Sequence, residues 1–181
     1  MAHPEQKAFC EKVKALHPQF FEYKKVLDVG SLDINGNNRF LFENCSHLGI
    51  DIGPGPNVDV VSVAHEFNDP DGSYDVVIST ECFEHDMHYD KSIKNIIRLL
   101  ASGGMFMFTC ATTGRPEHGT RRSDQGVNAP LLSSYDEWAD YYKNLTEQDI
   151  RDVIDVDKVF KLYAFEVNSI SHDLYFWGIK A

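Results

Sequence analysis

Apolar and polar positions change period several times along the chain. Phe9, Val13, Leu16 and Phe20 recur at spacings of four, three and four, which predicts a helical face within residues 1–20. "KKVLDVG" then breaks the helical period with a β-branched run ending at Gly30, and reads as a buried strand. "HLGIDI" is a second strand, stopped by "GPGPN"; "VDVVSV", "YDVVIS" and "GMFMFTC" are the third, fourth and fifth. Between the last two, Ile93, Ile96, Ile97 and Leu100 share a helical face, and Gly103 and Gly104 are expected to end that helix.

The C-terminal third differs. "TGRPEHGTRRSDQGVNAPLLSS" is a long polar segment of the kind that covers sites in compact domains. "SSYDEWADYYKNLTEQDIRDVI" predicts a helix, with Ser133 or Ser134 as N-cap ahead of Glu137. "KVFKLYAFEV" and "DLYFWGIK", joined by "NSISH", suit two antiparallel strands. Strands that do not alternate, separated by helices and turns, imply an α/β fold with a mostly parallel sheet covered on both faces. The chain of 181 residues is expected to form one domain, with residues 112–146 as its variable lid.

Charge narrows the partners. A net charge of −11 offers no footprint for a phosphate backbone, and the Arg121-Arg122 pair is too small to change that. Four dispersed cysteines without a C-x-x-C pair fit reduced thiols, and no apolar leader or membrane-length run is present in these residues. The expected compartment is the cytoplasm, and the expected partner a small molecule or glycan rather than nucleic acid or a membrane.

Ligands of open α/β sheets bind at the carboxyl ends of strands where the strand order reverses. Three predicted strand ends carry telling residues: Asp28-Val29-Gly30 followed by Ser31 and Asn35, Asp51-Ile52, and Ser79-Thr80-Glu81. A dinucleotide fingerprint would require glycine at positions 32 and 35, where Leu32 and Asn35 stand, and neither a P-loop nor a Y-x-x-x-K pair occurs.

The combination "VLDVGS…N", "LGIDI", "YDVVISTECFEH" and "LLASGGMFMFTC", from about residue 24 to residue 110, resembles the class I S-adenosylmethionine-dependent methyltransferases. The resemblance implies a Rossmann-like seven-stranded sheet, parallel except for its last strand, Leu174 to Lys180. It implies cofactor contacts from Asp28, Gly30, Ser31 and Asn35 in motif I, from Asp51 and Ile52 at the ribose, from Ala64 and His65 at the adenine, and from Ser79. Leu32 and Ile34 stand where that motif usually has glycines. "VGSLDINGNNR", "GIDIGPGPNVDVV" and "GRPEH" are similar to a subgroup associated with bacterial glycan modification.

Glu81, Glu84 and His85 form E-x-x-E-H. On a helix these positions share one face, so two carboxylates and an imidazole would converge, a set suited to Mg²⁺ or Mn²⁺. The spacing resembles the metal site of small-RNA 2′-O-methyltransferases and of certain quinone-precursor O-methyltransferases, with His118 as the fourth ligand. Without a metal, His85 or His118 could serve as a general base, and Glu81 belongs to the same catalytic group. His88 and Asp90 read as solvated residues of a helix start. The expected reaction is methyl transfer to an oxygen, in preference to a nitrogen, of a small polar acceptor such as a sugar. The alternatives are a non-catalytic module on the same fold and an RNA 2′-O-methyltransferase.

Overall fold

The computed structural model describes residues 3–181. Helix α1 covers Pro4–Leu16 and strand β1 Lys25–Val29; β2 is Ser46–Asp51, β3 Val60–Val61 and β4 Tyr74–Thr80. Helix α2 (Tyr89–Leu99) leads directly into β5 (Leu100–Ala111). Three short helices follow, α3 (Arg121–Asp124), α4 (Glu147–Val153) and α5 (Val156–Val159), before β6 (Phe160–Asn168) and β7 (Asp173–Lys180). The strands form one sheet in the order β3-β2-β1-β4-β5-β7-β6. Every pairing from β3 to β5 is parallel, whereas β7 is antiparallel to both β5 and β6. The expected sheet, with its single reversed strand, is the one observed.

Both faces are covered, which is why the central strands are continuously apolar. On one face, Phe9, Cys10 and Val13 of α1 pack against Val26, Val76, Ile78, Met105, Met107 and Tyr175. On the other, Ile93, Ile96 and Leu99 of α2 and Ile150 of α4 meet Leu27, Val77, Phe106, Phe108 and Phe176. Strand order reverses between β1 and β4, so the loops after those two strands splay apart and open a crevice.

Three local expectations need correction. The N-terminal helix expected within residues 1–20 ends at Leu16, which is 57% exposed, and Phe20 lies in a separate 3₁₀ turn; residues 1 and 2 lie outside the described residues. Gly103 and Gly104 do not end α2. The helix stops at Leu99, and the glycines lie inside β5, where the pairing to β4 slips between Tyr74–Leu100 and Val76–Met105. The helix expected from Ser133 onward is absent until Glu147, where Thr146 rather than a serine is the cap. Its backbone is used elsewhere: the N–H groups of Lys143 and Leu145 donate to the carbonyls of Glu84 and Ala111. A segment that bonds neighbouring elements cannot also bond itself every fourth residue. Among the described residues, no helix is long and apolar enough to cross a membrane, and all four cysteines are free.

Candidate active site

The crevice is an open cleft of about 990 Å³, open solvent at its mouth included. Its floor is the turn after β1. Gly30 has φ +75°, and a Cβ there would lie 2.5 Å from Cys82 Sγ, so only glycine lets the β1 turn pass the β4 turn this closely. Asp51, at the end of β2, accepts from the Leu32 N–H at 3.0 Å with one oxygen and from the Ile52 N–H at 2.8 Å with the other. Burial pushes its carboxyl up, and these two bonds oppose the rise. Deeper down, Asp28 Oδ1 accepts from Asn38 at 3.1 Å while Oδ2 has no hydrogen bond and faces His47 Nε2 at 3.6 Å. Burial raises Asp28 to about 7 and lowers His47 to about 4, so the pair favours its neutral forms.

Residues 128–132 and Trp138, within the 112–146 segment, form the far wall. Ala129, Pro130, Leu131, Leu132 and Trp138 line the cleft opposite Leu32, Ile34, Val63 and Ala64. The Tyr135 hydroxyl donates to the Ile52 carbonyl at 3.1 Å, joining this wall to the end of β2. An apolar slot bounded by a strand-end carboxylate and a tight glycine turn fits a purine nucleoside, and the residues present therefore fit S-adenosylmethionine.

Most of the expected cofactor residues do meet here: Asp28, Gly30, Ser31, Asn35, Asp51, Ile52 and Ala64 all line the cleft. Ser79 and His65 do not. The Ser79 hydroxyl is fully buried and donates to the Val29 carbonyl at 2.9 Å, tying β4 to β1, and Thr80 takes its place in the wall. His65 packs its ring 4.6 Å from His88 and 6.4 Å from Trp138, outside the lining. His88 precedes α2 without capping it through its side chain and is part of that aromatic group rather than a solvated residue.

The E-x-x-E-H segment is rearranged relative to expectation. Residues 83–85 make one 3₁₀ turn, and Glu81 sits outside it with φ +52°, so the three side chains do not share a helical face. Glu84, His85 and His118 nevertheless come together, each offering a ligand atom within 4.8 Å of the others. Glu84 is wholly buried with neither carboxylate oxygen hydrogen-bonded, and His118 Nε2 is 4.0 Å from its Oε1. The two imidazoles stand edge-to-face at 5.0 Å, and Gly119 leaves the room for it: a Cβ there would lie 2.6 Å from the His85 ring. Burial, and then the negative charge of Glu81, push the Glu84 carboxyl up; burial pushes His85 down to about 3 and His118 downward.

Glu81 joins a different group. Its Oε2 is 3.7 Å from His3 Nε2, which is 2.9 Å from Asp173 Oδ2, and Arg115 holds Asp173 Oδ1 at 3.0 Å. Burial opposes protonation of His3, but the negative carboxylates of Asp173 and Glu81 outweigh it and raise the imidazole to about 10. Sequence reasoning missed His3, Asp173 and Trp138. A lone histidine before a helix and an aspartate opening the last strand carry no local pattern; only the antiparallel return of β7, pairing Asp173 with Ala111, delivers that carboxylate to the site.

A family model described as a methyltransferase domain matches residues 1–152. No curated protein sequence matches the chain. Among solved structures, the chain is similar to the 1,6-didemethyltoxoflavin-N1-methyltransferase of Burkholderia thailandensis with bound 1,6-didemethyltoxoflavin and S-adenosylhomocysteine: TM-score 0.63, 13% identity, covering 100% of this chain and 92% of that one. It is also similar to the N-methyltransferase NodS of Bradyrhizobium japonicum WM9 (TM-score 0.61, 14% identity, 98% and 97% covered). Phosphoethanolamine N-methyltransferase 2 of Haemonchus contortus, bound to S-adenosylmethionine, gives a TM-score of 0.62 at 17% identity, with 94% of this chain and 52% of that one covered.

Proposed function

Because the chain belongs to the methyltransferase-domain family and has the fold of its class I S-adenosylmethionine-dependent enzymes, we propose that it methylates an oxygen, in preference to a nitrogen, of a small polar acceptor such as a sugar or glycan intermediate. The carrying observation is Glu84, a fully buried carboxylate with two unpaired oxygens, beside His85, which lines the cofactor cleft. An unpaired buried carboxylate is costly to maintain, and a divalent cation such as Mg²⁺ or Mn²⁺ removes that cost.

The residues fit such an ion. Glu84, His85 and His118 would hold it, and burial keeps both imidazoles in the neutral form that ligation needs. Bound there, it would supply Lewis acidity toward an acceptor hydroxyl. The protein's own residues do the remaining work. Asp51 and the Gly30 turn orient the cofactor, and the 112–146 wall excludes water and holds the acceptor near the sulfonium methyl. His85 alone would be a weak base at about 3, which favours the metal-assisted reading over simple base catalysis.

Calorimetric titration with S-adenosylmethionine, with and without Mn²⁺, tests the reading. The cofactor should bind in either condition, and Glu84→Gln should bind one Mn²⁺ fewer than the unaltered chain while keeping cofactor affinity. No measurable affinity for S-adenosylmethionine or S-adenosylhomocysteine would end the proposal; methyl transfer undiminished by excess chelator would end its metal component.

A further inference from the structure

We infer that His3, Glu81 and Asp173 form a second divalent-cation site, one that fastens the N-terminal end of α1 to the strand ends beside the cleft. It shares no ligand with Glu84, His85 and His118, and it stands independently of the function proposed above.

The geometry comes first. The three ligand atoms lie within 4.8 Å of one another, with His3 Nε2 at 2.9 Å from Asp173 Oδ2 and 3.7 Å from Glu81 Oε2. Around a first-row ion with bonds of about 2.1 Å, neighbouring ligand atoms stand roughly 3.0–3.4 Å apart in octahedral or tetrahedral arrangements. The observed spacings bracket that range. One imidazole with two carboxylates suits Mn²⁺, Fe²⁺ or Zn²⁺ better than the all-oxygen preference of Mg²⁺ or Ca²⁺.

The second observation is the state of Glu81. Its side chain is only 2% exposed, and neither oxygen has a hydrogen bond; the buried Thr109 hydroxyl is likewise unpartnered. A proton on His3 meets that demand only in part: a single Nε2–H, directed to Asp173 at 2.9 Å, leaves Glu81 with an ion pair at 3.7 Å and no hydrogen bond on either oxygen. A divalent ion would engage His3, Glu81 and Asp173 together.

The supports around the three residues are those a metal site needs. The Arg115 guanidinium fixes Asp173 through Oδ1 alone, leaving Oδ2 toward the centre. His3 Nδ1 is engaged at the start of α1, 3.1 Å from Glu5 Oε2 and 3.3 Å from the Gln6 backbone N–H, which fixes the ring with Nε2 toward Asp173 and Glu81. Glu81 reaches the site from a left-handed backbone conformation that a non-glycine residue adopts at a cost, the kind of strain that functional sites retain.

Mn²⁺ stoichiometry on the untagged full chain, by equilibrium dialysis and electron paramagnetic resonance of free Mn²⁺, tests the inference. Glu84→Gln should leave one ion bound, and adding His3→Ala to it should weaken that ion at least ten-fold and abolish the rise in Tm that Mn²⁺ produces in Glu84→Gln alone. Glu81→Gln, which preserves side-chain shape, should do the same in case His3→Ala acts by loosening α1. Loss of all Mn²⁺ from Glu84→Gln, or Mn²⁺ affinity in Glu84→Gln unchanged by both second substitutions, would overturn it. If Glu84→Gln binds as much Mn²⁺ as the unaltered chain while His3→Ala binds none, this site stands and the Glu84 site falls.

Discussion

Two groups of acids share one edge of the sheet and are treated in opposite ways. On the β1–β2 side, both oxygens of Asp51 are occupied by backbone N–H groups, and the turn they organise is closed by Gly30 against Cys82. On the β4–β7 side, Glu81 and Glu84 have no hydrogen bond on any of their four oxygens although both are buried. Buried carboxylates are normally paired. A carboxylate satisfied by its own backbone has finished its structural task and presents its remaining lone pairs to a ligand. On the β4–β7 side the pairing is incomplete: Glu81 has only the His3 imidazole 3.7 Å away, Glu84 only His118 at 4.0 Å, and burial pushes the Glu84 carboxyl toward its neutral form. The first side is a platform organised by backbone N–H groups; the second is a set of acids short of hydrogen-bond donors.

The sharpest way to break the platform is Gly30→Ala. A Cβ 2.5 Å from Cys82 Sγ, added at φ +75°, should cost about 2–5 kcal/mol in strain and overpacking. Urea unfolding should show a lowered midpoint with an unchanged slope. Next comes Asp51→Ala, which removes charge-assisted bonds worth about 1.5–3 kcal/mol each. Affinity for S-adenosylmethionine should fall ten-fold or more by calorimetry, and an unaltered affinity would place the cofactor elsewhere.

The β4–β7 side predicts the reverse sign. With chelator present, Glu84→Gln should stabilise the protein by about 1–2 kcal/mol, because a buried unpaired acid is replaced by a neutral amide. On this chain length that is a rise of roughly 2–4 °C in Tm per kcal/mol. A lower Tm would mean that Glu84 is satisfied after all.

Asp28 lies between the extremes, with one oxygen bonded and one not. Burial raises it from 3.8 to about 7, so the folded chain retains a proton that the unfolded chain releases. Its contribution to stability is therefore greatest below about pH 4 and is lost as pH rises toward 7, by at most about 1.4 kcal/mol per pH unit. Asp28→Asn should flatten that part of the profile, and a steeper profile would contradict the assignment. The smallest effect belongs to the far wall: Tyr135→Phe removes one exposed hydrogen bond to Ile52 and should change stability by less than about 1 kcal/mol.

Much of this was legible in the order of residues. Strand identity follows from short β-branched runs whose two faces are both covered, and the placement of Asp28, Gly30 and Asp51 follows because each stands within one residue of a strand's carboxyl end. Local period and strand-end position are properties of consecutive residues, so one chain read alone carries them. The backbone of residues 138–145 and the partners of the acids were decided by the folded molecule. Trp138 and Tyr142 look helical in sequence, but Lys143 and Leu145 donate their N–H groups to β5 and to the turn after β4, which removes the helix. Glu81 looks like a partner of Glu84 at i+3, yet its left-handed backbone gives it instead to His3 and Asp173, respectively 78 and 92 positions away in sequence. Such contacts depend on which strands lie side by side and in which direction they run, and spacing along the chain does not record that.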